Sequence, residues 1–256
     1  MDLQLNGTRV LVTGGTRGIG RAIVEAFLDE GAVVGFCARN ADEVAATQQA
    51  LQDRGGDQGS ATGTAVDVGD ADALSSWVEQ SAEAFGGLDV VVANVSALAI
   101  PDTEENWQAS LNVDLMHTVR LVRAAMPYLE RSQAASIIAI SSVSGRESDF
   151  ASGPYGTAKT AIIGYINGLA LHLAEKGIRA NTVSPGNTYF EGGVWAAIES
   201  GNPDLYETAV GLNPTGHMGT PEDVAGPVVF LASVKAGRVS GTNLVVDGAL
   251  TRGIQL

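Results

Sequence analysis

Arg9-Val10-Leu11-Val12-Thr13, followed by Gly14-Gly15-Thr16-Arg17-Gly18-Ile19-Gly20, decides the fold class. The first five residues are a short β-branched run, as a buried strand requires. Glycines break it, a helical pattern continues to Glu30, and a second apolar strand follows from Val33 to Ala38. Strand, glycine turn, helix and strand make one βαβ unit.

The alternation continues to the C-terminus. Helices are expected over 41–54, 71–85, 107–129, 155–175 and 221–232, and strands over 64–67, 88–93, 136–141, 179–184 and 243–247. Most of these strands are continuous apolar runs, which is how strands covered on both faces read. The expectation is one α/β Rossmann-type domain over 1–256, a doubly wound, mostly parallel seven-stranded sheet flanked by helices. The stretch 186–220 is weakly patterned, rich in Gly, Asn and Pro, and carries Tyr189, Phe190, Trp195 and Tyr206. A connection of that length is expected to be a substrate lid or binding loop.

Composition narrows the partners. The chain has 256 residues, 45% of them hydrophobic, enough for one large core. A formal net charge of −14 argues against nucleic acid or an anionic membrane as partner, and an anionic cofactor would need a local basic patch. The single cysteine, Cys37, lies in an apolar run and leaves no intrachain disulfide. That fits a reducing, cytoplasmic setting. The N-terminus lacks a signal-peptide pattern, and no apolar run is long enough to span a membrane. His117, His172 and His217 have no Cys or carboxylate at zinc-like spacing, so no metal site is expected.

In an open α/β sheet, ligands bind beyond the carboxyl ends of the strands. The glycine turn would let backbone approach a pyrophosphate, with a helix N-terminus behind it. The end of the second strand distinguishes the dinucleotides: a free ribose is held by an acidic residue, a 2′-phosphate by a cation. Here it reads Ala38-Arg39-Asn40, with no carboxylate before Asp42, and Arg17 offers a second guanidinium. NADP(H) is therefore expected, although solvated surface arginines would look the same.

Tyr155-Gly156-Thr157-Ala158-Lys159 opens a helical run. Residues four apart share a helix face, so phenol and ammonium would point the same way. Tyrosine titrates near about 10, and a nearby cation favours its phenolate. Bringing it to working pH takes roughly 3 units, or about 4 kcal/mol. A plain helix start with a lysine reaching for solvent gives the same spacing.

Thr13 to Gly20, Ser142 and Tyr155 to Lys159 together resemble the short-chain dehydrogenase/reductase family, with a 3-oxoacyl-carrier-protein-reductase-like pattern. Asp67, Asn94, Asn112, Pro185-Gly186, Ser240-Gly241 and Asp247-Gly248 extend the resemblance along the chain. The resemblance implies that Tyr155 exchanges a proton with the substrate oxygen and that Lys159 assists it. It implies that Ser142 binds the same oxygen and that Asn112 holds a water linking Lys159 to solvent. It places Gly14, Thr16, Gly18, Ile19 and Gly20 in the cofactor turn, and Arg17, Arg39 and Asn40 are expected beside them at the 2′-phosphate end. Asp67 and Val68 would lie at the adenine and Asn94 beneath the cofactor, with Pro185, Gly186 and Thr188 at the nicotinamide. Ser96, Phe150, Tyr189 and Trp195 are expected to contact substrate beside Ser142 and Tyr155. Two departures stand out: Ala93-Asn94-Val95-Ser96 replaces the family's Asn-Asn-Ala-Gly, and Asn187-Thr188-Tyr189-Phe190 follows Pro185-Gly186.

The expected function is interconversion of a secondary alcohol and a ketone with NADP(H). The alternatives are a 3-oxoacyl-thioester reductase and a non-catalytic nucleotide-binding scaffold. The resemblance also implies a homotetramer or homodimer.

Overall fold

A computed structural model describes residues 1–53 and 59–254. Seven strands form one sheet in the order β3-β2-β1-β4-β5-β6-β7. They are β1 (Arg9–Thr13), β2 (Val33–Ala38), β3 (Ser60–Ala65), β4 (Val90–Ala93), β5 (Ser136–Ile140), β6 (Arg179–Pro185) and β7 (Asn243–Val246). Every pairing is parallel. The order reverses between β1 and β4, which puts the switch-point crevice at the carboxyl end of β1.

Side chains alternate across the sheet, and that alternation builds two cores. Val10 and Val12 of β1 and Val90 and Val92 of β4 enter one, with Ile23 and Phe27 of α1 (Gly18–Asp29), Val44 of α2 (Ala41–Asp53) and Val228 of α9 (Pro221–Ala232). Leu11 and Val91 enter the other, with Leu74 and Trp77 of α3 (Ala71–Phe85), Leu121 of α5 (His117–Leu129) and Ile162 of α6 (Pro154–Leu173). Among the described residues no helix is long and apolar enough to cross a membrane.

The structure departs from expectation in three places. The strand expected over 64–67 lies earlier, at Ser60–Ala65, because an edge strand covered less completely carries no apolar run to betray it. The helix expected over 107–129 is composite: α4 (Glu104–Ala109), a seven-residue π-helix (Ser110–Met116), then α5. The stretch 186–220 contains α7 (Val194–Gly201) and α8 (Pro203–Gly211), which share a small core of Trp195, Ala209 and Met218. Arg54, the expected end of α2, lies outside the described residues.

Between β1 and α1 the backbone folds back on itself. Gly14 sits at φ +73° and Gly18 at φ +52°, and the Gly14 and Gly15 amides donate to the Cys37 carbonyl at 2.8 and 3.1 Å. A Cβ on Gly20 would run into the Gly14 carbonyl oxygen, so helix and turn meet only because this position is glycine. Gly20→Ala should lower stability by about 1–3 kcal/mol, the usual cost of overpacking. A denaturant midpoint matching the native protein would disprove the close approach.

Candidate active site

A cavity of about 810 Å³ follows the carboxyl edge of the sheet. Gly14, Thr16, Arg17, Ile19 and Gly20 line it from the turn, Arg39 and Asn40 from the end of β2, and Val68 from beyond β3. Asn94 and Ser96 follow β4; Ser142 follows β5; Tyr155 and Lys159 come from α6; Pro185, Gly186 and Thr188 end or follow β6. Phe150 and Trp195 line the same cavity and meet edge to face, with ring centroids 6.1 Å apart. The first turn of α1 leaves backbone N–H groups free beside the glycine backbone, a cradle that fits the pyrophosphate of a dinucleotide.

Proline at the start of α6 fixes where the helix begins, and Tyr155 and Lys159 follow on one face. The Lys159 Nζ lies 5.5 Å from the Tyr155 ring centroid. The lysine is only 2% exposed. Its Nζ donates to the Ile140 carbonyl at 3.1 Å and pairs with Asp114 Oδ1 at 3.2 Å. The second Asp114 oxygen accepts from the Ala97 amide at 3.1 Å. Ser141 Oγ donates to the Lys159 carbonyl at 2.9 Å, and Ser142 Oγ accepts from the Ser144 amide at 3.1 Å.

Four of the expected positions make other contacts in the structure. The Asn112 side chain is engaged on the other side: its amide nitrogen donates to the Gly69 carbonyl at 3.2 Å, and its oxygen accepts from Arg120 at 2.7 Å. The anion beside the lysine is Asp114, two residues on in the π-helix. Tyr189 turns into the small α7–α8 core, its hydroxyl donating to Glu199 at 2.7 Å, while Phe190 lines the cavity instead. Asp67 caps the Gly69 amide at 2.9 Å, leaving Val66 and Val68 on the cavity wall. Gly18 does not line the cavity; a Cβ there would meet the Phe190 ring at 2.5 Å.

The Asn94 amide nitrogen donates to the Thr13 and Gly14 carbonyls at 3.0 and 3.3 Å, tying the loop after β4 to the glycine turn. The Asn94 backbone N–H donates to Thr13 Oγ1 at 2.9 Å, which lies 3.0 Å from His117 Nε2. His117 Nδ1 lies 2.9 Å from the Val113 carbonyl, so Nδ1–H donates and Nε2 accepts from Thr13. Burial pushes the His117 imidazole down to about 4, so it is neutral at ordinary pH. Neither His117 nor Asp114 stood out in sequence. Ser110, Asp114, His117 and Leu121 are nonetheless all 0% exposed at helical spacing, and polar groups within a buried stripe are the signal that marks such a network.

Residues 14–251 match the family model described as enoyl-(acyl carrier protein) reductase. An isoepoxydon dehydrogenase of Penicillium expansum is 43% identical over 253 residues, covering 98% of this chain and 97% of that protein. The chain belongs to the short-chain dehydrogenase/reductase family. Like its relatives, this dehydrogenase/reductase acts on CH–OH groups. The 3-oxoacyl-[acyl-carrier-protein] reductase of Vibrio harveyi is 30% identical, covering 97% of this chain and 99% of its own. A dehydrogenase/reductase from Sinorhizobium meliloti superposes with a TM-score of 0.86 at 30% identity, covering 98% of this chain and 99% of that one. A 3-oxoacyl-[acyl-carrier protein] reductase from Brucella melitensis, solved with bound NAD, gives 0.85 at 30% identity, covering 97% and 92%.

His117 carries a pH signature. Its native value of about 4 lies below the unfolded value near 6.5, so between these pH values the unfolded chain binds the extra proton. The stability it contributes is complete above about 6.5 and lost on the order of 3 kcal/mol as pH falls to about 4. His117→Gln should flatten that part of the stability–pH curve. An unchanged slope in urea unfolding across this range would contradict the buried neutral imidazole.

Proposed function

We propose that this chain interconverts a secondary alcohol and a ketone with NADP(H), using Tyr155 to exchange the proton. The observation that carries the reading is convergence: the phenol, the Ser142 hydroxyl and the glycine turn all face one cavity. A bound nicotinamide supplies or accepts the hydride, so the protein must position the partners and move one proton. Ser142 and Tyr155 would bind the reacting oxygen, and Tyr155 would donate the proton in reduction and accept it in oxidation. Lys159 lies beneath the phenol and favours the anionic form. Leu98, Ile100, Phe150 and Trp195 supply apolar walls, and residues 186–220 act as the lid over them.

Arg17 and Arg39 line the nucleotide end, are exposed, and make no ion pair among the described residues. That supports a 2′-phosphate. Glu43 lines the same end, and its carboxylate lies 3.4 Å from the Asn40 amide. Two guanidiniums facing one carboxylate leave this corner cationic in a chain of net charge −14.

For substrate, the 43% identity to an isoepoxydon dehydrogenase favours a small-molecule alcohol over the acyl thioester suggested by relatives near 30%. The chain's acidity also gives no support for docking an acidic carrier.

Tyr155→Phe should lower turnover at least a hundredfold, within the usual worth of general acid–base catalysis, while leaving NADPH affinity nearly unchanged. Following NADPH absorbance across a panel that contains isoepoxydon and a 3-oxoacyl thioester measures this. Turnover within a few-fold of the native enzyme would reject the role. Arg39→Asp should weaken NADPH binding tenfold or more relative to NADH, about 1.4 kcal/mol. Equal losses for the two dinucleotides in fluorescence titrations would rule out the phosphate contact.

A further inference from the structure

We infer that Asp114 is a positioning residue of the proton relay: paired with the Lys159 ammonium, its carboxylate restrains how strongly that ammonium favours the Tyr155 phenolate, biasing the site toward proton donation. The inference rests on the reading of Tyr155 as the group that exchanges the proton.

A lone ammonium beneath a phenol draws it toward the phenolate. An ammonium held against a carboxylate acts instead as a dipole, whose field falls off faster with distance. Here the pair is close, 3.2 Å, and both side chains are nearly dry, at 3% and 0% exposure, so water screens neither charge. Asp114 Oδ1 has no hydrogen-bond partner and meets Nζ as an ion pair. One Asp114 oxygen faces Nζ and the other accepts the Ala97 amide at 3.1 Å, while Nζ keeps the Ile140 carbonyl at 3.1 Å. Through Ala97, the carboxylate also ties the relay to the cavity wall, where Ser96, Leu98 and Ile100 lie.

The other ionisable groups around the pair leave the role to Asp114. On α6 itself there is Tyr155, 5.5 Å from Nζ. From α5 comes His117, held neutral by burial, and beyond it Arg120, whose guanidinium is taken by Asn112 and the Gly69 carbonyl. Glu104 and Glu105 of α4 are exposed. β6 contributes only Arg179 at its opposite end, bonded to the carbonyls of Leu231, Ala232 and Ser233. The turn at Val143–Gly145 carries no ionisable group. Among the described residues, Asp114 is thus the anion in contact with Lys159.

The test needs no substrate. Ultraviolet difference titration of the cofactor-free protein, with the Tyr155→Phe protein subtracted, isolates phenolate formation at Tyr155. Asp114→Asn keeps the side-chain shape and removes the charge. It should move that titration to lower pH by about one unit, a roughly tenfold gain in phenolate below the midpoint. Asp114→Glu keeps the charge and should leave the titration in place. The acid limb of kcat/KM for alcohol oxidation, where the phenolate base is lost, should move with the titration in each variant. A midpoint that stays put or rises in Asp114→Asn overturns the inference, as does a fall in Asp114→Glu equal to that in Asp114→Asn. If Asp114→Asn does not fold, Asp114→Ser, which also removes the charge, decides: a lowered midpoint supports the role and a held one removes it. Failure of the underlying relay shows separately, as native-like turnover in Tyr155→Phe.

Discussion

An ammonium withdrawn from water must be met on every side, and the neighbourhood of Lys159 is built around that requirement. Asp114 supplies the charge, Ile140 a carbonyl, and Ser141 fixes the backbone of the residue itself. Gly145 permits the approach, since a Cβ there would lie 2.8 Å from the Lys159 carbonyl carbon. The π-helix belongs to the same arrangement, because it places a carboxylate on the stripe that the surrounding helices otherwise fill with apolar side chains. Removing one member would strand the others without partners.

How much of this could be read from the chain depended on how local the cause was. The first βαβ unit was legible because a strand covered on both faces, with Val10 and Val12 in one core and Leu11 in the other, reads as a continuous apolar run broken by glycines. The third strand was not, since its pattern Ser-Ala-Thr-Gly-Thr-Ala reflects a sheet edge rather than a doubly covered interior. Tyr155 and Lys159 were legible only together with the glycine turn and Ser142, since their spacing alone also fits a plain helix start. Asp114 stayed hidden because no propensity marks a π-helix or says which of its residues meets the lysine. Tyr189 and Phe190 show the same limit: in neighbouring aromatics the sequence does not say which one faces inward.

The altered turn after β4 also has a physical account. Val95 packs on Gly14, so a Cβ added to that glycine would lie 2.9 Å from the valine methyl; the larger side chain fits because its neighbour has none. Ser96 Oγ accepts the Leu98 amide at 3.0 Å, and Leu98 takes φ +50°, an uncommon backbone for a leucine. The hydroxyl thus supports a wall that glycine would have left looser, and Leu98, 49% exposed, borders the cavity.

Phe190 rests on Gly18 while its own chain segment continues into the helix that carries Trp195. One length of backbone therefore touches the dinucleotide cradle and the opposite wall together. A side chain in place of the Gly18 hydrogen would press on Phe190, and through it on the segment that leads to Trp195.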